Sequence, residues 1–265
     1  MKNYLIKGLH RIVSTVWWPG SDRSSEQTHE GDLYYYYEKM ALLSEASFFQ
    51  NLQGDWEYIK LESTATDVNH VFRQQFRAIW DIWSSEPCNI YYCGSDVQVL
   101  KPVEVFGRYK NFMMFNYTDP KSLDEYEHFL NADIRYYPAE MDRAMFENAL
   151  EQIVGCTYWN GDQKLYNRMV WGQGLAPEQV IDPTMAYQGP WLPEGISLPR
   201  DQNAKEFTDA WNGCRLEDAN VVHWHGSRHA PSKLALMQSI NDQLGISAIP
   251  ANPRPTKTID ISHLP

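Results

Sequence analysis

The sequence predicts an α/β protein in which a single mixed sheet is flanked by helices. Short apolar segments of strand length alternate with longer segments whose apolar residues recur every three or four positions. The clearest helix is Val71–Trp83, in which aromatic and aliphatic side chains form one stripe. The clearest buried strand, Asn89–Cys93, follows this helix and ends at Gly94. With 265 residues, the chain is long enough for one large domain.

The other elements follow from the same patterns. Further strands are predicted at Arg11–Trp17, Glu57–Leu61, Phe112–Tyr117, Ile134–Tyr137 and Val221–His225. Further helices are predicted at Tyr34–Gln50, Met141–Val154 and Gln163–Val170. Pro and Gly are frequent from Pro177 to Arg200, which indicates a surface excursion. We expect one domain over residues 1–249 and a proline-rich C-terminal tail over residues 250–265, which wraps onto the domain or frays.

The composition argues against several classes of function. The formal net charge is -11, and the sequence has no cluster of Lys and Arg that would bind a nucleic acid. No stretch approaches the roughly 20 apolar residues that span a bilayer, and the first residues lack the apolar core of a signal peptide. The four cysteines form no CxxC pair, which is typical of reduced, buried thiols. We therefore expect a cytoplasmic protein without a membrane span or a nucleic-acid partner.

A polar triplet, Gly94-Ser95-Asp96, follows the buried strand that ends at Cys93. In open α/β sheets, ligands bind beyond the carboxyl ends of the strands, so this position favours a binding function. The carboxylate of Asp96 is the kind of ligand that Mg²⁺ and Mn²⁺ prefer. The triplet alone leaves open the alternative that Asp96 only caps a turn.

Histidines are concentrated in the segment His223-Trp224-His225-Gly226-Ser227-Arg228-His229. On a strand, residues two apart point to the same face, so His223 and His225 could both reach one metal site. Gly226 would allow the backbone to approach a ligand, and Arg228 could donate hydrogen bonds to a phosphate. The alternative is that one or two of these histidines are buried core residues.

Two shorter polar segments are ambiguous when each is taken alone. Asp162-Gln163 opens a predicted helix, where the ordinary role of an aspartate is to cap the first turn. Asn131-Ala132-Asp133 precedes the predicted strand Ile134–Tyr137 and by itself suggests only a turn. Their order relative to Asp96 and His223 makes them informative.

In order and spacing, these segments resemble the GT-A type glycosyltransferases, and most of all glycosyltransferase family 8, the glycogenin and galactosyltransferase group. That family has a strand ending in Asp-x-Asp and often a following Lys-Pro, which matches the segment from Asn89 to Pro102. Its later motifs match Asn131-Ala132-Asp133, the segment from Asp162 to Asn167, and the segment from His223 to Pro231. The resemblance covers about residues 10 to 240 and implies a GT-A fold with a Rossmann-like sheet.

The sequence departs from the family pattern at three positions. Gly94 stands where the family has the first carboxylate of Asp-x-Asp, which leaves a degenerate motif with Asp96 alone. Asp133 stands where the family usually has glycine. His229-Ala230 stands where a lysine would directly precede proline, so the lysine that would help to hold a diphosphate is absent from this position.

The resemblance implies a glycosyltransferase that moves a sugar from a nucleotide-sugar donor, with a UDP-sugar favoured, to an unidentified acceptor. Asp96, His223 and His225 would hold Mn²⁺ or Mg²⁺, which would assist the departure of the nucleoside diphosphate. Asp162 and Gln163 are the candidate catalytic residues beside the transferred sugar.

Substrate-binding residues are assigned by the same resemblance. They are Trp17, Arg77, Ser95, Asn131, Asp133, Gly226 and Arg228. For Arg77, on the helix before the candidate metal strand, the alternative is an exposed arginine on the polar face.

Two other functions are compatible with the sequence. The missing carboxylate at Gly94 favours a catalytically inactive binding or structural protein on a GT-A scaffold. His-x-His on a strand is also typical of metal hydrolases, in which His223, His225 and a carboxylate such as Asp96 or Asp162 would bind zinc.

Overall fold

The computed structural model describes residues 1–10, 33–65, 68–106, 133–154, 161–174, 186–188, 215–224, 230–247, 254 and 256–265. In chain order, the helices and strands in these ranges are β1 (Lys2–His10), α1 (Leu33–Asn51), β2 (Glu57–Ser63), α2 (Val68–Ser85), β3 (Cys88–Cys93), β4 (Val97–Val99), β5 (Ile134–Tyr137), α3 (Arg143–Val154), α4 (Gly161–Trp171), β6 (Ala186–Gln188), a 3₁₀ turn (Leu216–Asp218), β7 (Val221–His223), α5 (Ala230–Gln243) and β8 (Thr256–Asp260).

The main sheet has five strands in the order β5-β3-β1-β2-β8. Strands β1, β2, β3 and β8 are parallel, and β5 is antiparallel to β3. Every residue of β3 and β5 is buried, as expected for strands in the interior of an α/β protein. The predicted α/β class, with a mostly parallel mixed sheet flanked by helices, is therefore confirmed.

A second, three-stranded sheet has the order β4-β7-β6, and the sequence did not predict it. Its strands have three residues each, which is too short to produce a clear alternation of polar and apolar residues. Strand β6, at Ala186–Gln188, lies within the segment that was expected to be a surface excursion. This small sheet joins the turn after β3 to the late histidine segment.

Most predicted elements in the described residues are confirmed to within a few residues, and Ile134–Tyr137 has the predicted bounds. The first strand is β1, earlier in the chain than the predicted Arg11–Trp17. It was not predicted because lysines interrupt its apolar residues, although Leu5, Ile6 and even Lys7 are buried. Arg11–Trp17 and Phe112–Tyr117 lie outside the described residues. None of the helices that are described is both long and apolar enough to cross a membrane.

The C-terminal tail contributes a strand to the main sheet. β8 pairs in parallel with β2, and Glu62 lies opposite Asp260. The guanidinium of Arg254 lies 4.1 Å from the ring centroid of Trp56, and Ile261 is buried. Of the two expected behaviours of the tail, these residues therefore wrap onto the domain, and the strand covers an edge of β2 that would otherwise be unpaired.

Aromatic packing joins the helices α2 and α3 to the sheet. The ring of Phe146 on α3 stacks on Tyr137 of β5, with centroids 5.2 Å apart. It also makes edge contacts with Phe76 and Trp80 of α2, at 5.4 and 5.0 Å. Since Phe146 has no exposed surface, it connects both helices with β5.

Replacing Phe146 with alanine should lower the free energy of unfolding by about 3–5 kcal/mol, because the packed rings around it cannot close the cavity. Urea unfolding followed by circular dichroism measures the change. The control is Val154→Ala at the exposed end of the same helix, which should alter stability by less than about 0.5 kcal/mol. Similar losses in the two variants would contradict this packing.

Candidate functional site

The site begins where β3 ends and β5 begins. Because the two strands are antiparallel, Cys93 pairs with Ile134, and Gly94 and Asp133 meet at the same edge of the sheet. The backbone N–H of Gly94 donates a hydrogen bond to the carbonyl of Asp133 at 2.7 Å. The parallel strands β1, β2 and β8 end at this edge too, which is where α/β sheets bind ligands.

The small sheet brings Asp96 and His223 together. Val97 of β4 pairs with His223 of β7, and the N–H of Trp224 donates to the carbonyl of Asp96 at 3.0 Å. Nε2 of His223 lies 3.5 Å from Oδ1 of Asp96 and 3.2 Å from Oδ2 of Asp133. One ligand atom from each of these three residues lies within 4.8 Å of the others.

Lys233 is a fourth member of the site, and the sequence analysis did not identify it. It lies in the first turn of α5, and its Nζ donates a hydrogen bond to Oδ2 of Asp96. The same ammonium lies 5.7 Å from the ring centroid of Tyr37 on α1. The signal was present as Pro231-Ser232-Lys233, but the family motif places its lysine before the proline rather than after it.

The charges of the cluster balance one another. Burial opposes ionisation of Asp96, but Lys233 and His223 hold the pKa of this carboxyl below its usual range. Burial likewise lowers the pKa of His223, but the carboxylates of Asp96 and Asp133 outweigh it and raise this pKa to about 9. At neutral pH the cluster therefore holds two carboxylates against one imidazolium and one ammonium.

The cluster is open to solvent mainly on the side of Asp133. The side chain of Asp133 is 44% exposed, whereas those of Asp96 and His223 are 10% and 2% exposed. A ligand that reaches this cluster therefore meets Asp133 first.

The three converging groups fit a divalent cation. Two carboxylates and an imidazole are hard or borderline ligands, which suit Mn²⁺. They also suit Mg²⁺, which would bind mainly through the carboxylate oxygens. Since Nε2 of His223 carries a proton in the balanced cluster, a cation that binds this nitrogen must displace the proton.

A buried ion pair lies beside this cluster. The guanidinium of Arg135, on β5, donates to Oδ2 of Asp162, and both side chains are 2% exposed. The Arg135 guanidinium also lies 4.9 Å from the ring centroid of Tyr92. Burial opposes its charge, but Asp162 more than offsets this and raises the pKa of Arg135. Asp162 therefore has a structural partner that the sequence did not reveal, and the neighbouring Gln163 is buried as well.

The other predicted site residues fall into two groups. Arg77 is exposed and pairs with Asp81 one turn along α2 at 3.0 Å, which matches the alternative of a surface arginine. Ser95 lies in the turn between β3 and β4 and is partly buried. The remaining ones, Trp17, Asn131, His225, Gly226 and Arg228, lie outside the described residues.

A cavity of about 460 Å³ lies between α1 and the ends of β1, β2 and β8. It is lined by residues from all four elements, including Gly8, Ala41, Ser63 and Asp260. The cavity and the cluster of Asp96, Asp133 and His223 lie toward the same edge of the main sheet. This volume is within the ordinary range of small-molecule sites.

Lys7 connects the main sheet to β4 through buried polar contacts. Its Nζ donates to Oγ of Ser44 on α1, and this hydroxyl donates to the carbonyl of Val97. Burial lowers the pKa of Lys7, although Cys93, Glu45 and Asp96 favour its charge. Burial also raises the pKa of Cys93 to about 11, so this thiol is protonated at neutral pH, and both described cysteines, Cys88 and Cys93, are buried and free of disulfides.

Comparison with known proteins gives structural similarity without sequence similarity. No protein-family model and no curated protein match the chain. The chain is similar in structure to a glycosyltransferase involved in the glycosylation of the major capsid of PBCV-1, at 14% identity and a TM-score of 0.46, with 90% of this chain and 100% of that chain covered.

Two other solved structures are similar to a comparable extent. Mouse xyloside xylosyltransferase 1 in its apo form has 11% identity and a TM-score of 0.47, covering 85% of this chain and 98% of that one. The apo-form glycosyltransferase GlyE of Streptococcus pneumoniae TIGR4 has 9% identity and a TM-score of 0.45, covering 93% and 64%. Similarity at this level does not establish a reaction for this chain.

Replacing Arg135 with methionine should lower the free energy of unfolding by about 3–5 kcal/mol, because it leaves the carboxylate of Asp162 buried without its cation. The double variant Arg135→Met/Asp162→Leu should be more stable than the single variant, since neither charge remains. Urea unfolding of both proteins measures this difference. A double variant less stable than Arg135→Met would show that the unpaired carboxylate of Asp162 is not the main cause of the lost stability.

Lys7 should make stability depend on pH. Its folded-state pKa is lower than its unfolded value, so the unfolded chain binds more protons between these two pKa values. The stability contributed by Lys7 should therefore rise as pH increases toward about 10.5. Lys7→Met removes this dependence, so the stability of the parent relative to the variant should increase between pH 7 and pH 9.5. Urea midpoints of both proteins at both pH values test this, and a constant difference would contradict it.

Proposed function

We propose that this chain is a glycosyltransferase of the GT-A type, which transfers a sugar from a nucleotide-sugar donor with the assistance of a divalent cation. The observation that carries the proposal is the convergence of Asp96, Asp133 and His223 at the carboxyl edge of the sheet. The first of these residues follows β3, the second precedes β5 and the third ends β7. Transfer from a nucleotide sugar releases a diphosphate, and positive charge is required to stabilise the negative charge that develops on it. A cation at this edge of the sheet would supply that positive charge.

Asp96, Asp133 and His223 are the residues that would hold the cation. A bound Mn²⁺ or Mg²⁺ would supply Lewis-acid neutralisation of the diphosphate. The β4–β7 pairing fixes Asp96 relative to His223, and the buried contacts of both side chains limit their rotation. The more exposed Asp133 faces the side from which the donor would arrive.

Lys233 would provide the second positive charge for the leaving group. Its ammonium is tied to Asp96 in the balanced cluster, and a cation on Asp96 would weaken that pairing. The ammonium would then be available to a diphosphate held by the cation on Asp96. Lys233 thereby takes the part that the family pattern assigns to a lysine before proline.

The cavity beside α1 would receive the nucleoside of the donor. Its size is sufficient for a base and ribose, and hydroxyl groups such as that of Ser63 line it. Glu62 and Asp260 lie at the ends of β2 and β8, where their carboxylates can accept hydrogen bonds from ribose hydroxyls. A UDP-sugar remains the favoured donor by resemblance, and the acceptor remains unidentified.

Asp162 and Gln163 keep their proposed place beside the transferred sugar. Since Asp162 is paired with Arg135, it would act chiefly by holding Arg135 and the start of α4 in position. Asn131, Gly226, Arg228, Trp17 and His225 remain candidates for donor and cation contacts on the basis of the resemblance alone.

Nucleoside diphosphate binding tests the proposal directly. Thermal unfolding is measured with the diphosphates UDP and GDP, and with the monophosphate CMP for comparison, each with Mn²⁺ and with EDTA. UDP with Mn²⁺ should raise the melting temperature by several degrees, since a ligand at 100 times its Kd adds about 2.7 kcal/mol. The Asp96→Asn variant should lose most of this shift, because it removes the negative charge of the ligand while the shape of the side chain stays almost the same.

The matched control is Arg77→Ala, which removes an exposed charge from α2 and should keep the full shift. A UDP shift that is equal with Mn²⁺ and EDTA, and equal in Asp96→Asn, would refute the cation assignment. Release of UDP from a UDP-sugar then distinguishes the active enzyme from the inactive scaffold, in which metal-dependent binding occurs without turnover. Tight binding of Zn²⁺ in the absence of nucleotide would favour the hydrolase.

A further inference from the structure

We infer that Asp133 supplies the carboxylate that residue 94 lacks, so that Gly94 and Asp133 form an exchanged pair within one cation site. The inference rests on the proposed cation site and deepens it, because it says why position 94 is glycine. It also says that the missing carboxylate at Gly94 does not by itself mark the chain as inactive.

The space next to Gly94 is already filled by carboxylate oxygens. A Cβ atom placed on Gly94 would lie 3.0 Å from Oδ1 of Asp133 and 3.3 Å from Oδ1 of Asp96. A contact of 3.0 Å is tighter than nine in ten real Cβ contacts, so the neighbouring carboxylate would have to give way by a few tenths of an ångström. The side chain of Asp133 therefore lies where a side chain of residue 94 would project.

Backbone conformation does not explain the glycine. The described glycines with positive φ are Gly54, Gly174 and Gly245, and Gly94 is not among them. Any L-residue can therefore adopt the backbone of residue 94, and the restriction comes from the neighbouring carboxylates. Removal of Asp133 should consequently make a side chain at position 94 acceptable.

The pairing of β3 with β5 makes the two positions equivalent for the site. Gly94 follows the last residue of β3 and Asp133 precedes the first residue of β5, and a hydrogen bond of 2.7 Å joins their backbones. A carboxylate from either position projects toward the same place beside Asp96. From position 133 it lies 3.2 Å from Nε2 of His223, which is the distance of a direct contact.

The experiment exchanges the two residues and measures Mn²⁺ binding without any nucleotide. Isothermal titration and the electron paramagnetic resonance signal of free Mn²⁺ are recorded for the parent, Asp133→Gly, Gly94→Ala and the double variant Gly94→Asp/Asp133→Gly. Thermal unfolding confirms that each protein is folded. Neither readout depends on enzyme activity.

Asp133→Gly should weaken Mn²⁺ binding by at least about tenfold, since even groups that only orient a metal ligand change affinity by about 10–100-fold. The double variant should recover most of the lost affinity, because the carboxylate returns from the other strand. Gly94→Ala should weaken binding in the parent, because its methyl group displaces Asp133. Added to Asp133→Gly, the same alanine should cause no further loss, so the two positions are coupled.

The outcomes separate this inference from the proposed function. If the parent binds Mn²⁺ and the double variant binds as weakly as Asp133→Gly, the exchange is refuted while the cation site stands. If Asp133→Gly binds as tightly as the parent, Asp133 is not a ligand and the inference again falls. If the parent binds no Mn²⁺, the proposed cation site fails, and this inference fails with it.

Discussion

The repulsion between two neighbouring carboxylates is the constraint on which the site depends. Asp96 and Asp133 both lie next to His223 at the edge of the sheet, where Asp96 is largely shielded from water. The structure offsets this repulsion with an imidazolium and with the ammonium of Lys233. A polar cluster of this kind contributes little to stability compared with an apolar core, which makes it a candidate site for a ligand.

Two strand pairings hold this cluster in place, and neither of them is local in sequence. The β3–β5 pairing brings together residues 94 and 133, and the β4–β7 pairing brings together residues 97 and 223. Lys7, on β1, adds a buried connection through Ser44 to the carbonyl that follows Asp96. The core contacts of Phe146 then fix β5 against α2 and α3. The geometry of the site is therefore a property of the whole sheet.

The sequence predicted those parts of the fold that have a strong local pattern. The apolar stripe of α2 and the wholly buried β3 were identified, and Asp96 and His223 were expected to meet. Strand β1 was not predicted, because no pattern of hydrophobicity reports that the charge of Lys7 is buried. Arg135 was missed for a related reason, because the pairing of a buried charge depends on strand order, and strand order cannot be read from a single sequence. Lys233 was missed because it follows the proline that the family pattern places after its lysine. Asp133 was recognised as unusual, but its position beside Gly94 required the antiparallel β3–β5 pairing.

The crowding at Gly94 also restricts how such a site can change during evolution. A chain with carboxylates at both positions would press them together, and a chain with neither would hold its ion poorly. Either intermediate is disfavoured, so the two residues should change in quick succession and vary together among relatives. Inspection of the linear Asp-x-Asp signature alone would classify such relatives as defective, although the missing group has only moved to the adjacent strand.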